Sequence, residues 1–302
     1  MTTTETASTQ KSTTVRSQYK VPVALGIVRA GFGALSRVSP GFAAFAAERL
    51  FLTPRRHARP PHERELLASA RALSIPSEDG ALSAWEWGTE GERVLLVHGW
   101  EGRGTQLAPF VPALVERGFR VVSFDAPAHG DSPGSLSSFF HFARSIARVA
   151  REFAPLRALI AHSMGGASAA WASRAGALAE RMVMIAPPAD IRDFTSHADA
   201  MLGLDRRAIV ELEGRLGRRF GVDFSEVHAA RVGPAMKAPL LVIHDEDDRE
   251  IPIEAGEVVA RHWPDAELVR TRGLGHRRIL RDPGVITRVV DFVGTARNAS
   301  QS

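Results

Sequence analysis

Between residues 94 and 244, short apolar runs alternate with segments of helical character. The runs are Val94–His98, Val121–Asp125, Ala158–Ala161, Met182–Ala186 and Leu240–His244, and Leu268–Thr271 follows. Helices are predicted over Leu107–Glu116, Ser138–Phe153 and Gly166–Ala179. A strand that is apolar along its whole length has no face left for water, so both faces must be covered. Strand–helix alternation of this kind predicts an α/β chain: a mostly parallel central sheet with helices on both faces. It also fixes where chemistry belongs, just beyond the carboxyl ends of the strands. Ser163, Asp125 and the acidic run 245–248 all occupy such positions.

The strand signal disappears between Pro187 and Ala235, where Leu202–Phe220 reads as a helix above the strand ends. Upstream, Ala72–Ile75 and Leu82–Trp87 read as a hairpin across the turn Ser77–Gly80. Residues 54–64 form a Pro/Arg/His-rich linker whose basic residues are expected to be a solvated face. Before the linker, Val21, Leu25, Val28, Phe32 and Leu35 recur at helical spacing. Ser39-Pro40-Gly41 breaks that helix, and Phe42–Leu52 reads as a second one. Residues 1–17 are rich in Thr, Ser and Gln and read as a disordered tail.

Charge is unevenly placed. The 302 residues carry a net +4, yet residues 1–60 hold nine Lys/Arg against Glu5 and Glu48, a balance of +7. The remainder is therefore −3, and no basic stripe interleaved with aromatics runs through it, which argues against nucleic acid as a partner. Arg29 and Arg37 interrupt the arm's apolar stretch, which falls short of the ~18 residues of a membrane span. The arm is therefore expected to dock on the main domain by its apolar face, with peripheral contact to an anionic membrane as the alternative. There is no cysteine, which excludes disulfides and thiolate chemistry and fits a cytoplasmic setting. No spacing of ligand residues suggests a metal, and no glycine-rich loop follows a strand to hold a dinucleotide, so no cofactor is expected.

The stretch Ala161-His162-Ser163-Met164-Gly165 turns from an apolar strand into a helix, with small residues two places either side of the serine. That is the layout of a nucleophile elbow, which lifts a hydroxyl out of the sheet. Leu95-Leu96-Val97-His98-Gly99-Trp100 ends a strand in His-Gly, so the N–H groups of Trp100 and Met164 could together cradle an oxyanion. The strand Leu240–His244 delivers Asp245, Glu246, Asp247 and Asp248 just past its end, and Asp248, three residues before Ile251-Pro252, is favoured as the acid. Asp245 and Asp247 are expected to matter much less. Gly273-Leu274-Gly275-His276 places a histidine after the last strand, able to return to the serine. His98, His129 and His162 are read as structural, and His197 and His228 fall in the helical insertion.

The order Ser163, Asp248, His276 on this scaffold resembles the α/β-hydrolase fold family. Asp125-Ala-Pro127-Ala-His129-Gly130-Asp-Ser132 is similar to that family's D-x-P-G-x-G-x-S loop, and Asp248-x-x-Ile-Pro252 to its D-x-x-V-P. The resemblance covers about Arg71 to Val293 and leaves the first 70 residues unexplained. Two alanines, Ala161 and Ala128, stand where the family carries glycine, and Asp245 stands where relatives often have glycine. The resemblance implies a hydrolase domain over 61–302 with a helical lid at about 187–235, preceded by an arm and linker over 18–60. It implies a serine hydrolase, first of all a carboxylic-ester hydrolase, with Ser163, Asp248 and His276 as triad and a small ester-like molecule as substrate. The competing reading is a hydrolase-fold protein that binds a small molecule as a signal, with turnover slow or incidental.

Overall fold

A computed structural model describes residues 23–193 and 202–295 of the chain. The expected tail, Val21 and His197 lie outside the described residues. Helices α1 (Val23–Val38), α2 (Pro40–Phe51) and α3 (Pro61–Ala68) come first. A sheet then builds through β1 (Arg71–Ile75), β2 (Leu82–Trp87), β3 (Arg93–Val97), α4 (Phe110–Glu116), β4 (Arg120–Phe124) and α5 (Phe139–Phe153). It continues with β5 (Leu156–His162), α6 (Met164–Ala172), β6 (Arg181–Ile185), α7 (Arg206–Phe220) and α8 (Ala229–Val232). It closes with β7 (Leu240–Asp245), α9 (Ile253–His262), β8 (Ala266–Thr271), α10 (Gly275–Arg278) and α11 (Pro283–Gly294).

The strands lie in the order β1-β2-β4-β3-β5-β6-β7-β8. The first hairpin and the β2–β4 pair are antiparallel, and every pair from β4 to β8 is parallel. The chain leaves β3 for β4 on one side and returns to β5 on the other. The strand order therefore reverses at β3, and a crevice opens beyond the carboxyl ends of β3 and β5. Trp100 follows the first of these strands and Ser163 the second.

Alternate residues of each strand feed two apolar layers. Leu95, Val97, Leu159 and Ala161 pack toward α5 and α6 on one face. Val94, Leu96, Ala158 and Ile160 pack toward α4 and α11 on the other. This is why the strands read as continuous apolar runs rather than alternating ones.

The first layer extends beyond the sheet. Helix α7, in the segment between β6 and β7, buries Ala208, Leu212 and Leu216 at every fourth position. Against it α2 presents Ala43, Ala44 and Ala47, small residues that let the two helices approach closely. Glu48 closes the seam, accepting from Arg215 at 2.8 Å and Arg219 at 3.3 Å. The apolar stripe of α1 is covered only in part: Phe32 and Leu35 pack on the core, whereas Val28 stays exposed. The arm is thus seated through α2 and, on α1, through Phe32 and Leu35.

Several boundaries move, each for a local reason. The helix expected over Leu107–Glu116 begins at Phe110, after a 3-10 turn at Gly104–Leu107 and Pro109. The helix after β5 begins at Met164 and α-helix stops at Ala172, giving way to a 3-10 turn and Gly176. His276 sits on the single-turn α10 rather than an irregular loop. The linker departs most from expectation. Residues from Pro61 open α3, and Arg59 is not solvated but reaches Asp125 and Asp131 at 2.6 and 2.7 Å. Arg56 donates to the carbonyls of Gly130, Ser132 and Gly134. A buried carboxylate at Asp125 demands a cation, and the linker is the segment that reaches it.

Candidate active site

One residue, Ser163, makes the whole turn from β5 into α6. Its backbone takes φ 54° and ψ −129°, a region that costs a residue with a side chain about 1–3 kcal/mol. Its N–H is tied to the carbonyl of Ile185 on β6 at 2.9 Å, and its hydroxyl caps no helical N–H. Two glycines make room for the turn. A Cβ on Gly165 would stand 2.4 Å from the carbonyl oxygen of His98, and one on Gly99 would stand 3.1 Å from Cβ of Ser163.

Beyond β7, Asp248 and His276 meet: Nδ1 of the imidazole lies 2.7 Å from Oδ2 of the carboxylate. The other oxygen of Asp248 accepts from the N–H groups of Glu250 and Ile251 at 2.8 and 3.0 Å. These two bonds hold the Asp248 carboxylate in place three residues before Ile251-Pro252. His244 packs beside the pair, its Nε2 donating to the Ile251 carbonyl at 2.9 Å and lying 3.5 Å from Asp248. Burial alone would raise the Asp248 carboxyl, but the neighbouring His244 and His276 imidazoles hold it well below the usual carboxylate range.

The segment carrying His276 is held from three sides. Asp245, fully buried, accepts at Oδ1 from the N–H of Gly275 and at Oδ2 from Leu274 N–H and the Thr271 hydroxyl. Asp247 accepts from the N–H of Gly273 at 2.9 Å. His162, the residue before the serine, donates from Nε2 to the carbonyl of His276 at 2.9 Å, and the two rings sit 4.6 Å apart. Burial, with the His276 ring beside it, pushes the His162 imidazole down to about 3, so the ring is neutral and its Nδ1 is left buried without a partner.

Trp100 and Met164 line one common cavity. The segment that carries Trp100 is braced by imidazoles. His98 donates from Nδ1 to the Gly99 carbonyl at 2.7 Å and accepts at Nε2 from Ala126 N–H at 3.0 Å. His129 accepts at Nε2 from Glu101 N–H and donates from Nδ1 to the Pro127 carbonyl. Burial pushes these two rings down to about 4 and about 3 respectively. Each therefore holds one fixed tautomer, donor on one nitrogen and acceptor on the other.

The linker and α3 grip the same segment from outside. Glu101 accepts from the N–H of Arg55 at 3.2 Å. Buried Glu63 accepts from Arg103 at 2.5 and 2.6 Å and from the Thr105 hydroxyl. Asp125, also fully buried, accepts from Gly104 N–H, Asp131 N–H and Arg59, each at 2.6 Å. A Cβ on Gly130 would come within 2.0 Å of that carboxylate, so the position tolerates only glycine. Asp125 stands at a strand end, yet both its carboxylate oxygens go into tying loops together.

Sequence reasoning did not single out His244, Glu63, Arg59 or the anchoring part played by Asp245. Position on β7, immediately before the acidic run, was the one available signal for His244. His228 falls in the segment after α7, where its Nδ1 accepts from Ala230 N–H and it bridges Asp190. Among the described residues no group of three or more His, Asp or Glu is arranged to hold a metal ion. No helix among them is long and apolar enough to cross a membrane.

Comparison with known proteins gives a consistent picture. A family model described as "Alpha/beta hydrolase family" matches residues 94–289. A pyrethroid hydrolase of Sphingobium wenxiniae is 27% identical over 147 residues, 46% of this chain and 52% of that protein, so the chain spans about half the length of this relative. An esterase of Pyrococcus furiosus superposes with a TM-score of 0.63 at 21% identity, covering 80% of this chain and 98% of the other. An esterase from Exiguobacterium antarcticum superposes with a TM-score of 0.58 at 16% identity, covering 74% of this chain and 100% of its own.

Proposed function

The chain belongs to the alpha/beta hydrolase family, and from that premise we propose that it is a serine hydrolase acting on carboxylic esters. The observation that carries this reading is the 2.7 Å contact between His276 Nδ1 and Asp248, on a segment tied at the His276 carbonyl to His162, the residue before the strained elbow serine. The names of the relatives, a pyrethroid hydrolase and two esterases, point to the same class of bond.

With Nδ1 engaged by Asp248, His276 keeps Nε2 for the hydroxyl of Ser163. The imidazole takes the serine proton as Oγ bonds to the ester carbonyl carbon, and the carbonyl oxygen becomes an oxyanion held by the N–H groups of Trp100 and Met164. Met164 is the first residue of α6, so its N–H has no acceptor within the helix and can point at the developing charge. As the tetrahedral intermediate collapses, His276 returns the proton to the departing alkoxide, which leaves as the alcohol. Water then attacks the acyl-serine, losing a proton to the same imidazole, which passes it to Ser163 Oγ as the acyl–oxygen bond breaks and the carboxylic acid leaves. Asp248 stays ionised throughout, fixing the tautomer and stabilising the imidazolium. Helix α7, between β6 and β7, acts as part of the lid.

The test is labelling with a fluorophosphonate probe alongside hydrolysis of p-nitrophenyl butyrate. Wild-type protein should label and turn over, and Ser163→Ala should do neither while keeping its fold. A folded Ser163→Ala variant with near wild-type turnover would remove Ser163 as nucleophile.

A further inference from the structure

The cavity shared by Trp100 and Met164 is walled by residues from far outside the family match. Phe51 and Leu52, at the end of α2, form part of its lining, with Phe140 of α5 and Phe220 of α7. The family match begins at residue 94. We propose that the N-terminal arm is part of the substrate site: Phe51 and Leu52 close an apolar pocket for the acyl chain, and Phe51 sets the length of chain accepted. The inference rests on the serine-hydrolase reading above.

The chemistry of the lining defines the occupant. The pocket is a narrow cleft lined almost wholly by apolar side chains. Its one hydroxyl side chain, Ser138, is already engaged, accepting from His141 N–H at 3.2 Å and meeting Nδ1 of the same residue at 2.7 Å. Apart from the Trp100 indole, no other polar side chain lines it, so a hydrocarbon chain fits and a charged or sugar-like group would be left unpaired. The aromatic wall is continuous, with the rings of Phe140 and Phe220 5.0 Å apart.

Orientation separates acyl from alcohol. The leaving oxygen must face His276, which protonates it. Neither Ser163 nor any residue of 245–248 or 273–278 lines this pocket, whereas Trp100 and Met164, whose N–H groups hold the oxyanion in this reading, do. The alcohol therefore departs on the His276 side, and the group left on the carbonyl carbon extends into the pocket.

The arm is held in register with the opposite wall. The carbonyl of Leu52 accepts from Ser137 N–H at 2.7 Å, one residue before Ser138 and the start of α5. Glu48, one turn back, is clamped by Arg215 and Arg219 of α7. Leu52 is buried, whereas Phe51 is half-buried, so Phe51 is the wall residue that can be resized with least disturbance to the core.

The experiment compares kcat/KM for p-nitrophenyl esters from acetate to dodecanoate in wild type, Phe51→Ala, Phe51→Trp and Phe51→Met. Phe45→Ala is the control, since Phe45 lies on the same helix, is 52% exposed and stands outside the pocket. Each methylene that becomes buried should raise kcat/KM roughly fourfold. Phe51→Ala should raise the octanoate-to-butanoate ratio about tenfold, Phe51→Met should move it the same way, and Phe51→Trp should lower it about tenfold. Phe45→Ala should leave the ratio unchanged, as should a parallel series of acetates with lengthening alcohols in every variant. Variants that melt like wild type and label with fluorophosphonate, yet keep its acyl profile, would overturn the inference alone, as would a shift confined to the alcohol series. Failure of wild type itself to label or hydrolyse any ester would overturn the hydrolase reading and this inference with it.

Discussion

Oδ1 of Asp245 accepts the backbone N–H of Gly275, the residue immediately before His276, at 2.9 Å. A carboxylate at the end of β7 thereby fixes the segment that carries His276. It also accepts from Asp247 N–H, Leu274 N–H and the Thr271 hydroxyl, and these donors hold it below the usual carboxylate range although burial works to raise it. The sequence ranks Asp245 well below Asp248 in importance, and the structure gives it a positioning task instead.

Asp245→Asn should therefore impair both stability and turnover. An amide offers one acceptor oxygen and turns its NH2 toward backbone N–H groups, leaving buried donors unpaired at about 1–3 kcal/mol each. The melting temperature should fall by roughly 5–10 °C, and kcat should fall more than KM rises, because the base is displaced rather than the pocket. Asp245→Asn that melts and turns over like wild type would show that the segment holds His276 without this anchor.

Asp248→Asn separates orientation from folding. Asparagine keeps an oxygen for the N–H groups of Glu250 and Ile251, so the loop should survive. What it loses is the acceptor for Nδ1–H of His276, and with it the tautomer that leaves Nε2 free. A loss in kcat on the order of 10⁴ is expected, with little change in melting temperature. Asp247→Asn, which touches only the N–H of Gly273 on this segment, should cost less than tenfold. The reverse ranking in a kcat measurement would move the acid to another carboxylate.

Much of the framework could be read before any coordinates. Continuous apolar runs from Val94 to His244 gave the parallel strands to within a residue or two, because burial on both faces leaves an unmistakable composition. Position at strand ends and chain order led to Ser163, Asp248 and His276, and the structure brings the last two into contact. The linker was opaque for a physical reason. Arg59 meets Asp125 across 66 residues, and nothing local distinguishes a buried arginine from a solvated one. The pocket was opaque likewise: Phe51 reads as the end of an amphipathic helix, and its neighbours Phe140 and Phe220 lie on elements with which it shares no sequence pattern. Trp100 lies far in sequence from Phe139 and Phe140, and only the fold brings them to one cavity.

The neutral imidazoles make stability depend on pH. His98, His129 and His162 have folded-state values of about 4, 3 and 3, against roughly 6.5 when unfolded. These values are depressed, so the unfolded chain binds more protons than the folded one as pH drops below ~6.5. Their contribution is complete above that pH and is lost progressively toward pH 4, at up to roughly 1.4 kcal/mol per pH unit for each ring. Asp248 adds a separate loss at lower pH, below its unfolded value of ~3.9. Urea midpoints should be level from pH 8 to 7 and fall steeply from 6.5 to 5. His129→Gln should be less stable at pH 7.5 but show a shallower slope. A stability that is flat between pH 7 and 5 would mean these rings are not held neutral.

The last prediction concerns the ion pair that joins the linker to the sheet. Arg59 meets Asp125 at 2.6 Å and lies 4.9 Å over the ring of Trp85, with 9% of its side chain exposed and none of the carboxylate. Removing one partner of a buried pair leaves the other charge desolvated, which costs about 3–5 kcal/mol, whereas removing both is far milder. Arg59→Met should destabilise by about that amount, and Arg59→Met with Asp125→Asn by distinctly less. The single variant should also lose activity, because Asp125 holds the N–H of Gly104 while the Gly104 carbonyl accepts from the Ser123 hydroxyl at 2.6 Å. That hydrogen-bonded turn lies four residues from Trp100. Urea unfolding of the wild type, both single variants and the double variant gives the coupling energy directly. A coupling near zero would return the linker to a solvated face and leave Asp125 supported by its backbone donors alone.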